Sequence, residues 1–194
     1  MDGFVFYLKQ GVNHITDLEG IDHMAFIITL CAVYKIKQWK QILVLVTAFT
    51  IGHTVTLALS GLKLISVNQQ LVETLIPVTI LLTAIYNIVK KTDTAKGGIQ
   101  FNYLLALFFG FIHGMGFSNF FRSMMMGIND ESIIFPLFSF NVGIELGQLV
   151  IVACLLLINV ILTTIFSVKH RDWNLVISGA GGGIALTMIL KHFI

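Results

Sequence analysis

Six histidines occur among the 194 residues, and three of them, His23, His53 and His113, fall inside apolar runs. His23 directly follows Asp22, with His14, Asp17 and Glu19 shortly before. His53 is set in Phe49-Thr50-Ile51-Gly52-His53-Thr54-Val55-Thr56, and His113 in Gly110-Phe111-Ile112-His113-Gly114-Met115-Gly116. Farther along, Asn141, Glu145 and Gln148 recur at i, i+4 and i+7, which is one face of a helix. Neutral imidazole binds nickel, zinc, copper and iron, and carboxylates offset the charge of a buried dication. These residues point to a first-row divalent metal held by Asp22, His23, His53, His113 and Glu145, with His14, Asn141 and Gln148 as further candidates, or else to a proton pathway through the same groups. The glycines beside His53 and His113 leave room for a neighbouring helix or for an ion. Asp17 and Glu19 read as a solvated acidic rim that concentrates cations. Glu73 reads either as an exposed interfacial carboxylate or as part of the site. The run Met124-Met125-Met126 reads as apolar packing, or else as soft thioether donors of the kind that favour Cu(I).

The elements that must carry these groups follow from composition. Apolar residues make up 56% of the chain and charged residues 11%, with a mean hydropathy of +0.89. A soluble domain carries about 25% charged residues, so a soluble enzyme and a disordered chain are excluded as readings. The net charge of +2 gives no ground for a nucleic-acid partner. Cys31 and Cys154 lie far apart in apolar runs and form neither a disulfide framework nor a metal motif. Crossing about 30 Å of hydrocarbon takes roughly 20 apolar residues. Six segments meet that test, at about 18–36, 41–65, 70–89, 101–121, 133–166 and 174–193. Residues 3–12 form a short apolar stretch without the features of a signal peptide, and read as a helix lying on the membrane surface. The expected architecture is all-α: a polytopic membrane bundle of six transmembrane helices plus a short N-terminal interfacial helix, one domain over 1–194.

Basic residues set the expected orientation. Lys35, Lys37 and Lys40, then Lys90, Lys91 and Lys96, then Lys169 and Arg171 cluster in alternate connections, against the scattered Lys9, Lys63, Arg122 and Lys191. The positive-inside rule places the clusters in the cytoplasm and both termini outside it. Pro77 and Pro136 are candidate kinks. In Ser178-Gly179-Ala180-Gly181-Gly182-Gly183, the pair Gly179 and Gly183 has small-xxx-small spacing and reads as a close helix contact.

Over nearly its whole length the chain resembles the HupE/UreJ family of bacterial membrane proteins. The resemblance rests on Gly11-Val12-Asn13-His14-Ile15 with Gly20-Ile21-Asp22-His23-Met24-Ala25-Phe26, on the two histidine motifs already quoted, and on Phe140-Asn141-Val142-Gly143-Ile144-Glu145-Leu146-Gly147-Gln148. The spacing His14-x7-Asp22-His23 is two residues longer than in the hydrogenase-linked members. The resemblance implies a secondary permease in the bacterial cytoplasmic membrane, not an enzyme. Its substrate would be a divalent metal ion, nickel or cobalt foremost and copper or zinc as alternatives. It implies ligands among His23, Asp22, His53, His113 and Glu145. The partners expected are the lipid bilayer and the metal ion, with self-association into a homo-oligomer left open. Two other readings compete: an intramembrane zinc-dependent hydrolase, and a membrane protein that binds metal without transporting it. The first lacks a His-Glu-x-x-His helix and a nucleophile elbow.

Overall fold

The computed structural model describes residues 2–17, 20–65, 68–90, 99–124 and 133–193. Among these are seven α-helices and no strand: α1 (Asp2–Thr16), α2 (Ile21–Cys31), α3 (Trp39–Gly61), α4 (Gln69–Val89), α5 (Ile99–Met124), α6 (Ile134–Thr164) and α7 (His170–Phe193). A 3-10 turn, Ile36–Gln38, leads into α3. Helices α3 to α7 are each long and apolar enough to cross a membrane. Their outward faces are covered with residues such as Leu82, Phe108, Val150 and Leu157, exposed in the bundle and suited to contact with lipid. The chain is a multi-pass membrane protein.

The N-terminal part differs from the sequence expectation. In place of one continuous helix over 18–36 stands α2, whose 11 residues rise only about 16 Å. The stretch expected to lie on the membrane surface is longer, and is docked along α6 in the same direction. Gly3 meets Phe135, Gly11 meets Phe140 and Ile144, and Gly147 meets Val12 and Ile15. A Cβ at Gly11 would collide with the Phe140 carbonyl oxygen, and one at Gly143 with that of Leu8. Three glycines thus bring two backbones together, as in other membrane helix pairs.

Helices α3 and α5 also run side by side in one direction, in contact through Gly52, Gly110 and Gly114. Helix α6 begins where both of them end, since Ile133 and Phe121 lie against Gly61. Helix α7 is antiparallel to α4: Arg171 donates to the carbonyls of Asn87, Ile88 and Lys90, and Gly182 packs on Ala84. Both chain ends therefore lie at the same end of the bundle. The Arg171 guanidinium caps the carbonyls closing α4, and Arg122 donates to the Ser60 carbonyl in the last turn of α3 at 2.7 Å and to the Ile65 carbonyl beyond it at 2.8 Å.

Polar side chains join α2, α4 and α7. Asn87 Nδ2 donates to the Thr29 carbonyl at 2.7 Å and to Ser178 Oγ at 3.2 Å, while Asn174 Nδ2 donates to the Asn87 carbonyl at 3.0 Å. This fixes the rotation of α7 and corrects the expected glycine contact. Gly181 and Gly182 face Thr29 and Ala84, whereas Gly179 and Gly183 have nothing within 4 Å. The small-xxx-small spacing was present, but the face carrying Asn174 and Ser178 is the one turned inward. Pro136 falls in the first turn of α6, where its missing N–H has no helical partner to lose. Pro77 lies within α4.

Candidate metal centre

The break between α1 and α2 is where the histidines meet. His14 comes from the last turn of α1, Asp22 and His23 from the first turn of α2, His53 from α3 and His113 from α5. Ring centroids are 4.5 Å apart for His14 and His23, and 4.5 Å for His23 and His113. Those of His14 and His53 are 5.8 Å apart, and those of His23 and His53 6.3 Å. Two overlapping donor groups result, His14 with His23 and His53, and Asp22 with His23 and His113. Within each group the ligand atoms lie within 4.8 Å of one another. His23 is common to both.

The helices supply this convergence through glycine. A Cβ at Gly114 would strike Thr56 and the His53 carbonyl, and one at Gly110 the Phe49 carbonyl. The space beside the two imidazoles is thus filled by the neighbouring helix, which brings His53 and His113 close enough to share a site. Phenylalanines wall the cluster. Phe26 stacks on Phe109 at 3.4 Å, Phe109 lies 4.7 Å from the His113 ring, and Phe117 lies 3.6 Å from that of His14.

Asp22 organises His23. Its Oδ1 accepts from the His23 backbone N–H at 2.8 Å and pairs with Nδ1 at 2.9 Å. With the Nδ1 proton held by the carboxylate, Nε2 carries the free lone pair, the arrangement by which outer carboxylates orient metal-binding histidines. His23 Nε2 is buried without a hydrogen-bond partner, and so are His14 Nε2 and both ring nitrogens of His53 and His113. Buried polar atoms are nearly always partnered, so these six nitrogens are exceptional; since a neutral imidazole has one N–H and one lone pair, the four rings offer four candidate donor atoms. A cavity of about 540 Å³, with Gln10, Asn13, Asp17 and Phe117 in its wall, reaches His14.

The remaining candidates are placed as follows. Glu145 accepts from the Thr47 hydroxyl at 2.7 Å, and Gln148 Oε1 from that of Thr50 at 2.9 Å; neither belongs to the two histidine groups. Asn141 is buried, donates to the Leu137 carbonyl at 2.7 Å and lies beside His53. Asp17 and Glu73 are exposed. Glu19, Met125 and Met126, like Lys91 and Lys96, lie outside the described residues, while Met124 packs against the core. His170 bonds the Val33 carbonyl far from the cluster. Sequence reasoning missed Thr47 and Phe117. Thr47, Thr50 and Thr54 at i, i+3 and i+7 on an apolar helix were the available signal for the first, and a lone phenylalanine gave none.

An all-helical chain with five long apolar helices around a buried cluster of imidazoles and a carboxylate belongs to the class of polytopic membrane proteins. The HupE / UreJ protein family matches residues 1–194, so the chain belongs to that family. No curated protein matches, and no solved structure does.

Proposed function

We propose that the protein is a secondary permease for a divalent transition-metal ion, nickel or cobalt foremost, bound by His14, His23, His53 and His113 with Asp22 as orienter or fifth ligand. The observation that carries this reading is the set of six unpartnered ring nitrogens gathered from four helices. Membership of a family whose members are regarded as metal permeases supports transport over storage. Helices α1 and α2 together make the first of six crossings as a discontinuous span. In favour of this, α1 starts beside the start of α6, and α2 ends beside the C-terminal turn of α4 and the beginning of α7. Transporters place ion sites at such breaks, where the carbonyl end of a half-helix favours a cation.

The protein resides in the bacterial cytoplasmic membrane with both termini outside the cytoplasm, and the cavity beside His14 opens outward. The inside-negative potential then draws each positive charge inward by about 2.3 kcal/mol per 100 mV. A cysteine replacing Lys63 should react with an impermeant maleimide in intact cells, and one replacing Lys169 only after lysis. The opposite pattern turns the bundle over.

Proteoliposomes containing a metal-sensitive fluorophore test transport. External Ni²⁺ or Co²⁺ should enter those carrying the wild-type protein, faster under an inside-negative potential, and not those carrying His53→Ala. Stoichiometric binding without flux would overturn the permease reading in favour of a non-transporting binder.

A further inference from the structure

We propose that the seam between α3 and α6 holds a second site, distinct from the histidine centre, for a sodium-class monovalent cation. Glu145 is half-buried in a helix that crosses the membrane, and its one hydrogen bond among the described residues comes from the Thr47 hydroxyl. Glu145 takes part in no ion pair among the described residues, so no cationic side chain there neutralises it. A carboxylate in hydrocarbon with one neutral donor is costly, and the cost is relieved by a positive charge placed against it.

The surroundings select the ion. One turn along both helices, Thr50 and Gln148 repeat the pairing of Thr47 and Glu145. Gln148 is fully buried and its Nε2 has no partner, so one end of this amide is unused. Amide ends are assigned from their hydrogen bonds, and turning this one points Oε1 into the unused position while Nε2 donates to Thr50. The seam then offers two carboxylate oxygens, two hydroxyls and an amide carbonyl, with neither imidazole nor sulfur. Hard oxygen donors with one negative charge suit a monovalent hard cation, whereas the nitrogen donors of the histidine centre suit a transition metal. A proton would need Glu145 alone and leaves the buried Gln148–Thr50 pair without a task. The site stands whether or not the histidines bind metal; its use as a coupling ion rests on the permease reading.

The test is equilibrium binding of ²²Na⁺ to the full-length protein on scintillation beads, with choline as the inert cation and cobalt occupancy measured in parallel. Wild-type protein should bind one displaceable sodium per chain. Glu145→Gln and Thr47→Val should each weaken it at least about tenfold, as expected for loss of a charged or direct oxygen partner. Both should keep full cobalt occupancy, which also reports that they are folded. His53→Ala should lose cobalt and keep sodium. Absence of saturable sodium binding in the wild type overturns the proposal, as does unchanged sodium binding in Glu145→Gln. Loss of cobalt from folded, monodisperse Glu145→Gln overturns it too, by returning Glu145 to the metal centre.

Discussion

Replacing His23 with alanine is expected to weaken metal binding by more than about 100-fold, beyond the 10–100-fold typical of losing an outer partner. His23 is shared by both donor groups, so its removal dismantles each of them. His53→Ala should have an effect of similar size, because it takes one imidazole from a site of few ligands. The double variant should be little worse than either single one, since both act on one site and their effects do not add. Asp22→Asn belongs to a different class. It keeps the side chain's shape but loses the charge that holds the Nδ1 proton of His23, so a loss of about 10–100-fold is expected. Metal content of the detergent-purified variants by elemental analysis, with titration calorimetry, measures all four. If the two histidine variants melt at lower temperature yet retain full metal content, the histidines are packing residues and the site is wrong.

The largest effect on stability is expected at Gly110. A side chain there must enter the space of the Phe49 carbonyl, with the His53 backbone nitrogen 3.1 Å from the first added carbon. Backbone on both sides cannot yield without separating α3 from α5. Gly110→Val should therefore cost at least the upper part of the roughly 1–3 kcal/mol usual for overpacking. It should lower metal affinity as well, because the same contact brings His53 to His113. Gly179→Ala and Gly183→Ala are the controls. Nothing lies within 4 Å of either added carbon, and alanine is the better helix former by about 1 kcal/mol in water. Thermal melts in one detergent should show the first variant far below wild type and the other two at or above it. Equal melting temperatures for all three would mean that α3 and α5 do not touch through Gly110.

Much of the framework was determined by sequence alone. Five of the expected spans coincide with α3 to α7 to within a few residues, because a helix in lipid must satisfy its own backbone along a long apolar run. Asp22, His23, His53 and His113 stood out for the related reason that ionisable groups in such runs are costly and need a partner. The charges of Asp17 and Glu19, with Gly20 just after them, stand at the edge of the first expected span and were read only as an acidic rim.

Tertiary structure decided the rest, through the rotation and docking of helices that hydropathy leaves free. His14 and His53 are 39 positions apart, and only the docking of α1 on α6 through Gly11, Gly143 and Gly147 brings His14 to the cluster. Those glycines were visible, but nothing in them named their partner. The stripe Asn141, Glu145 and Gln148 was legible as one polar face, yet its contact with Thr47 and Thr50 depends on how α6 crosses α3. The same freedom put Gly181 and Gly182 inward in place of Gly179 and Gly183. Burial cost along a single helix is written in its composition, whereas the choice of neighbour comes from contacts between segments remote in the chain.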